Sequence, residues 1–164
     1  MNTDMYDPPK SNVSIKENLK SQPIKAIILA SLFDIVGTYV FYGLYDAAYV
    51  ILLVNKGLSG QEAYESLQSL DFFSINSLSG MFIGTVISFI GGYMCARIAN
   101  KNEYLVVLLL AIIVIASGYI EGFESYSLIQ NISLGLATFI SMYLGAWIYV
   151  RRKYNVASSP PLLK

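Results

Sequence analysis

The sequence predicts an all-α, polytopic membrane protein with four transmembrane helices and both termini on the cytoplasmic side. Three observations carry that prediction. The chain of 164 residues is 55% apolar, with a mean hydropathy of +0.53, and only 13% of its residues are charged, about half the share of ordinary soluble domains. The charges cluster and leave four apolar runs long enough for the ~30 Å hydrocarbon core. Lys and Arg fall almost entirely to one side of those runs.

The elements follow in order. Residues 1–23 are polar, with Asp4, Asp7, Pro8, Pro9, Lys10, Lys16, Glu17 and Lys20. They read as a cytoplasmic tail with no cleavable signal peptide, because the apolar run that follows is too long for a signal segment. Pro23 suits the first turn of the helix it precedes. The first run, 24–54, would be roughly 46 Å long as one helix, more than a span needs, so tilting, bending near Gly37 or Gly43, or projection from the membrane is expected. Gly57 is a helix stop, and Ser59-Gly60-Gln61-Glu62 fits a capping box. Ala63, Leu67 and Leu70 then share a face, which predicts a short amphipathic helix over 60–70, either at the outer interface or solvated. The remaining spans are 72–99, 104–120 and 128–150, joined by short loops that force an up-down-up arrangement. Residues 151–164 read as a second cytoplasmic tail. None of the runs alternates with the period of two that a β-barrel strand requires.

Orientation comes from the basic residues. Lys10, Lys16, Lys20, Lys25, Arg97, Lys101, Arg151, Arg152, Lys153 and Lys164 fall on one side, against Lys56 alone on the other. The Lys56 side also holds Glu62, Glu65, Asp71, Glu121 and Glu124. The formal net charge is zero and there is no His, so neither a nucleic-acid surface nor the commonest general base is expected. No phosphate loop, dinucleotide fingerprint, Cys pair or activated Ser is present; the chain reads as a non-enzyme without a cofactor. Cys95, the one cysteine, is expected as a small buried thiol, with S-acylation the alternative. Glu121 and Glu124 bracket the last outer turn and read as solvated acids, a cation site being the alternative. Tyr104, Tyr119, Trp147, Tyr149 and Tyr154 near span ends suit interfacial belts.

Two ridges of small residues stand out. Gly80, Gly84, Ser88, Gly92 and Ala96 recur every four residues in the second span, and Ser133, Ala137, Ser141 and Gly145 do so in the fourth. Such faces let two backbones approach closely in lipid. They predict packing of these two spans on each other, or association between copies of the chain. The third span, mostly large aliphatics, reads as lipid-facing.

Polar residues inside the spans are the candidates for function. Asp34, Thr38, Tyr42 and Asp46 follow one another at every fourth position, with Tyr45 and Tyr49 beside the line. The first helix thus carries a polar stripe that must face the bundle, a partner or water. Arg97 is a candidate partner that would latch onto Asp34 by snorkelling; a protonated Asp34 serving a proton-coupled step is the alternative. Asn131 is placed to bond across helices.

Gly91-Gly92-Tyr93-Met94-Cys95-Ala96-Arg97-Ile98-Ala99 and Asp34-Ile35-Val36-Gly37-Thr38 resemble segments of small, uncharacterised bacterial four-helix membrane proteins. The resemblance implies a bacterial inner-membrane location and carries no activity. From the residues themselves, the expected function is a non-enzymatic accessory, scaffolding or assembly component, acting within a homo-oligomer or a larger membrane complex. The alternative is a small oligomeric transporter or channel subunit that uses the acids of the first helix.

Overall fold

The computed structural model describes residues 21–122 and 127–158, with side chains over 21–120 and 127–155. It is all helical: α1 Pro23–Asn55, α2 Gly60–Gln68, α3 Ile75–Ala99, α4 Glu103–Gly122 and α5 Leu128–Ser158, with no strand among the described residues. Four of these, all but α2, are long and apolar enough to cross a membrane. α1 is unbroken through Gly37 and Gly43, with Pro23 in its first turn. α5 departs from the expected boundary. It continues as helix past Val150, so Arg151, Arg152 and Lys153, which the sequence assigns to the tail, are helical in continuity with the last span.

The local signals are those of the sequence. Ser59 caps α2: its backbone N–H and its hydroxyl each donate to Glu62 Oε2 at 2.8 Å, while Glu62 N–H donates to Ser59 Oγ at 3.3 Å. Ser74 caps α3 by accepting from Ser77 N–H at 3.2 Å. α3 ends on Asn100 in the left-handed region (φ 56°), followed by Asn102 (φ 52°). Asparagine tolerates that region better than other residues bearing a Cβ. A turn of 100–102 therefore joins α3 to α4.

The Ser59–Glu62 box carries a pH prediction. The backbone N–H of Ser59, and then its hydroxyl, hold the exposed Glu62 carboxyl below its ordinary value. A carboxyl depressed in the folded state adds stability above its unfolded value and loses it as the pH falls through the folded one. Protection of the α2 amides against hydrogen exchange should therefore be full near neutrality and fall below the ordinary glutamate range. Ser59→Ala should weaken protection even at neutral pH, by about 1 kcal/mol.

The four long helices alternate in direction. α3 is central and packs on α1, α4 and α5; α4 packs on α1 and α5 as well, whereas α1 and α5 nowhere bring Cα atoms within 8 Å of each other. α2 packs on α1 alone. The core sits at one end. Ala26, Ala30, Cys95, Ala96, Ala99, Val106, Val107, Leu110, Ala111, Met142 and Ala146 form one buried cluster, at the end shared by the start of α1, the turn 100–102 and the charged part of α5. Toward the α2 end only Gly80 and Ala63 are buried among the described residues. The bundle is close-packed at its basic end and splayed at its α2 end.

Three expectations are resolved by this packing. Gly92 and Gly145 lie against backbone of the facing helix: a Cβ on Gly92 would overlap the Met142 carbonyl, and one on Gly145 would overlap the Phe89 carbonyl. With buried Ser141, they seat α3 on α5 within one chain. The α3 ridge is not one contact surface, however. Each four-residue step advances about 40° around a helix, so Gly80 and Gly84 face Tyr42 of α1 while Gly92 faces α5. α4 is not simply lipid-facing: Val106, Val107, Leu110 and Ala111 are core, and Leu105, Leu108, Leu109, Ile112 and Ile113 point outward. Cys95 is fully buried in that core, which leaves its thiol no lipid-facing position for acylation.

The basic end is tied by an ion pair absent from the sequence reading. Lys153 Nζ reaches Glu103 Oε1 at 2.6 Å and also donates to Asn100 O at 2.8 Å. Glu103 opens α4, where an acid also suits the helix dipole, and is 8% exposed. Lys153→Met should strand that carboxylate and cost about 1–2 kcal/mol, the exposed side of the lysine being screened. Adding Glu103→Gln should return most of the loss, read as thermal unfolding in detergent.

Candidate functional site

The polar stripe of α1 faces inward. Asp34, Thr38 and Tyr42 line a cavity of about 360 Å³ between α1, α3, α4 and α5; Thr85, Ser88, Asn131 and Thr138 face it from the other helices. Tyr42 and Asp46 line a second cavity, about 750 Å³, under α2, with Tyr45, Gln68, Asn76 and Gln130. Tyr42, Phe72, Met81 and Leu134 border both. The two cavities therefore adjoin across these four side chains and together form a stepped cleft, running from the α2 end toward the packed core.

Asp34 closes the deep end. It is 3% exposed. Ser88 stands beside its carboxyl, and its Oδ1 has no hydrogen-bond partner. Glycine on α3 lets the acid fit: a Cβ on Gly91 would sit 3.5 Å from that Oδ1. Arg97 does not latch onto it. Arg97 is exposed near the C-terminus of α3, six residues beyond Gly91 and so about 9 Å farther along the helix. Among the described residues the only ion pair is Lys153–Glu103.

Asp46 sits at the wide end, half-buried, directly after Tyr45, whose hydroxyl donates to Asn76 O at 3.1 Å. That bond ties α1 to the start of α3. Gly80 and Gly84 leave room for the Tyr42 ring, with built Cβ atoms 3.1 Å and 3.5 Å from it. Ser133 and Ala137, the other half of the α5 ridge, line the inner cavity and are exposed. Asn131 lines it too. Ala96 is core.

No group of three or more His, Cys, Asp or Glu placed to hold a metal ion occurs among the described residues. The side chains of Glu121 and Glu124, the sequence's candidate cation site, lie outside the described residues. What the cleft offers is a set of hydroxyls, amides and rings ending on one buried acid whose charge nothing neighbouring balances. No family model, curated protein or solved structure matches the chain, so the resemblance to small bacterial four-helix proteins rests on its two short segments.

Proposed function

We propose that this chain is a small, non-enzymatic membrane transporter or channel subunit that admits a solute from its α2 side and binds it at Asp34. One observation carries the reading: the polar stripe of α1 lines a cleft that is open at the α2 end, blocked by close packing at the other, and ends on a buried carboxyl with an unpartnered oxygen. An acid in hydrocarbon is costly, and one kept without a countercharge is kept for use. The basic residues lie at the packed end, and by the positive-inside rule that end is cytoplasmic; the cleft then opens outward, in a bacterium to the periplasm. Association of two or more copies belongs to the proposal, because four spans wall only one such cleft.

The accessory-component reading loses part of its support here. Its argument was the small-residue ridges, and Gly92, Ser141 and Gly145 are occupied by packing within the chain.

Sidedness and flux test the proposal. With Cys95→Ser as background, Thr85→Cys should react with a membrane-impermeant thiol reagent added to the α2 side of sealed vesicles and be protected from the other side. Reaction from the basic side alone, or from neither, would overturn the outward cleft. In proteoliposomes the cation flux of the wild-type chain should fall to the background of empty vesicles on joint replacement Asp34→Asn and Asp46→Asn. Unchanged flux in that double variant removes these acids from the path.

A further inference from the structure

We infer that the cleft selects organic cations, small amines or quaternary ammonium ions with an apolar body, over inorganic cations and neutral solutes. The inference rests on the transport reading above and names the substrate class of the same site.

Charge comes first. Asp34 and Asp46 stand at the two ends of the cleft, and no Lys or Arg is among the described residues that line it. The entrance is acidic too: Glu62, Glu65 and Asp71 surround the α2 end against Lys56. A one-signed recess with low-dielectric walls raises the local concentration of the opposite charge. At its deep end the Asp34 Oδ1, in a residue 3% exposed, meets no hydrogen-bond donor. An anionic solute would meet only like charge.

The walls then separate one cation from another. A small inorganic cation wants several oxygen ligands at short range. Beside the Asp34 carboxyl stand the Ser88 hydroxyl and the bare backbone of Gly91, which is a poor substitute for a full hydration shell. Three rings, Tyr42, Phe72 and Tyr119, line the same inner cavity, and Met81, Val114 and Ile115 complete its sides. Aromatic faces attract a soft, weakly hydrated cation, and aromatic cages are a recurrent way to hold quaternary ammonium. The volume agrees, since about 360 Å³ within and 750 Å³ outside fall in the range of sites that enclose small organic ligands.

The test is equilibrium binding to the purified full chain in detergent, with benzyltrimethylammonium, benzyl alcohol as its neutral aromatic counterpart, and potassium chloride. Saturable binding of the quaternary ion is expected, with at least tenfold weaker binding of the alcohol and no competition by potassium at equal ionic strength. Asp34→Asn, close to isosteric, should weaken the quaternary ion at least about thirtyfold while eluting at the wild-type size. Tyr42→Phe should keep affinity within about twofold, and Tyr42→Leu should lose about 2- to 30-fold. Equal binding of benzyl alcohol, or affinity retained in Asp34→Asn, overturns the inference. Potassium flux that needs Asp34 and Asp46, with no binding of the quaternary ion, overturns it while the transport reading stands. Failure of the Thr85→Cys labelling pattern strikes the transport reading itself.

Discussion

Gly92→Ala is expected to be the most damaging single-methyl change in the protein. The added Cβ would lie 2.6 Å from Met142 Cα and would overlap the Met142 carbonyl. Both obstacles are backbone, so no side-chain rotation relieves them; α3 and α5 must move apart where they seat most closely. Overpacking of this kind costs about 1–3 kcal/mol where side chains can yield, and more where they cannot. The loss should appear as a lowered unfolding temperature and poor recovery of folded protein from membranes. Gly145→Ala should behave alike, since its Cβ would lie 2.9 Å from Tyr93 N and 3.1 Å from Phe89 C. Two controls separate close approach from any general need for glycine. Gly84→Ala meets the Tyr42 ring at an ordinary 3.5 Å, and Gly118→Ala meets nothing within 4 Å; neither should lower stability by more than a few tenths of a kcal/mol, and in mid-helix either change favours the helix. Equal damage from all four would show that the helix separation is not what Gly92 protects.

Asp34→Asn should move stability and function in opposite directions. The wild-type carboxyl is buried with one oxygen unpartnered, an arrangement whose desolvation is uncompensated. The amide keeps the shape, removes the ionisable group and can donate toward Ser88. An unfolding temperature above wild type is expected, worth about 1–3 kcal/mol, together with loss of cation binding and flux. Functional sites commonly hold such a trade. A destabilised Asp34→Asn chain that still carried flux would make the acid structural.

What the sequence revealed here follows a physical division. Features set by one helix or one turn were legible. The stripe Asp34–Thr38–Tyr42–Asp46 depends only on helical spacing, and all four residues line the cleft. The Ser59–Glu62 box spans four residues, and its hydrogen bonds form as the motif predicts. Features set between helices were not. The run Gly80–Gly84–Ser88–Gly92 looks continuous on paper, but its rotation about the helix axis divides it between α1 and α5. The Lys153–Glu103 pair joins residues fifty apart, and nothing local shows that the helix of the last span runs on through three consecutive basic residues. The Asp34–Arg97 latch failed on axial distance, which spacing along α3 alone does not fix without knowing which residue of α3 meets Asp34. The cleft itself is a property of how far helices diverge, and no local pattern encodes that.

The separation of α1 from α5, whose Cα atoms nowhere come within 8 Å of each other, has a consequence for biogenesis. During synthesis α1 enters the bilayer first, and the groups that later surround its polar stripe are on α3, α4 and α5. Until α3 arrives, Asp34 has lipid where Ser88 and Gly91 will be, a placement that insertion scales put at about 2.5–3.5 kcal/mol against the span. The uninterrupted apolar length of α1 offsets that cost and keeps the helix in the membrane while it waits. Since no Cα atom of α5 comes within 8 Å of α1, the close backbone packing of α1 is complete once α3 and α4 are in place, and the last helix closes the cleft with side chains alone. Early commitment of a polar span and late closure of its cavity are thus built into the order of the chain.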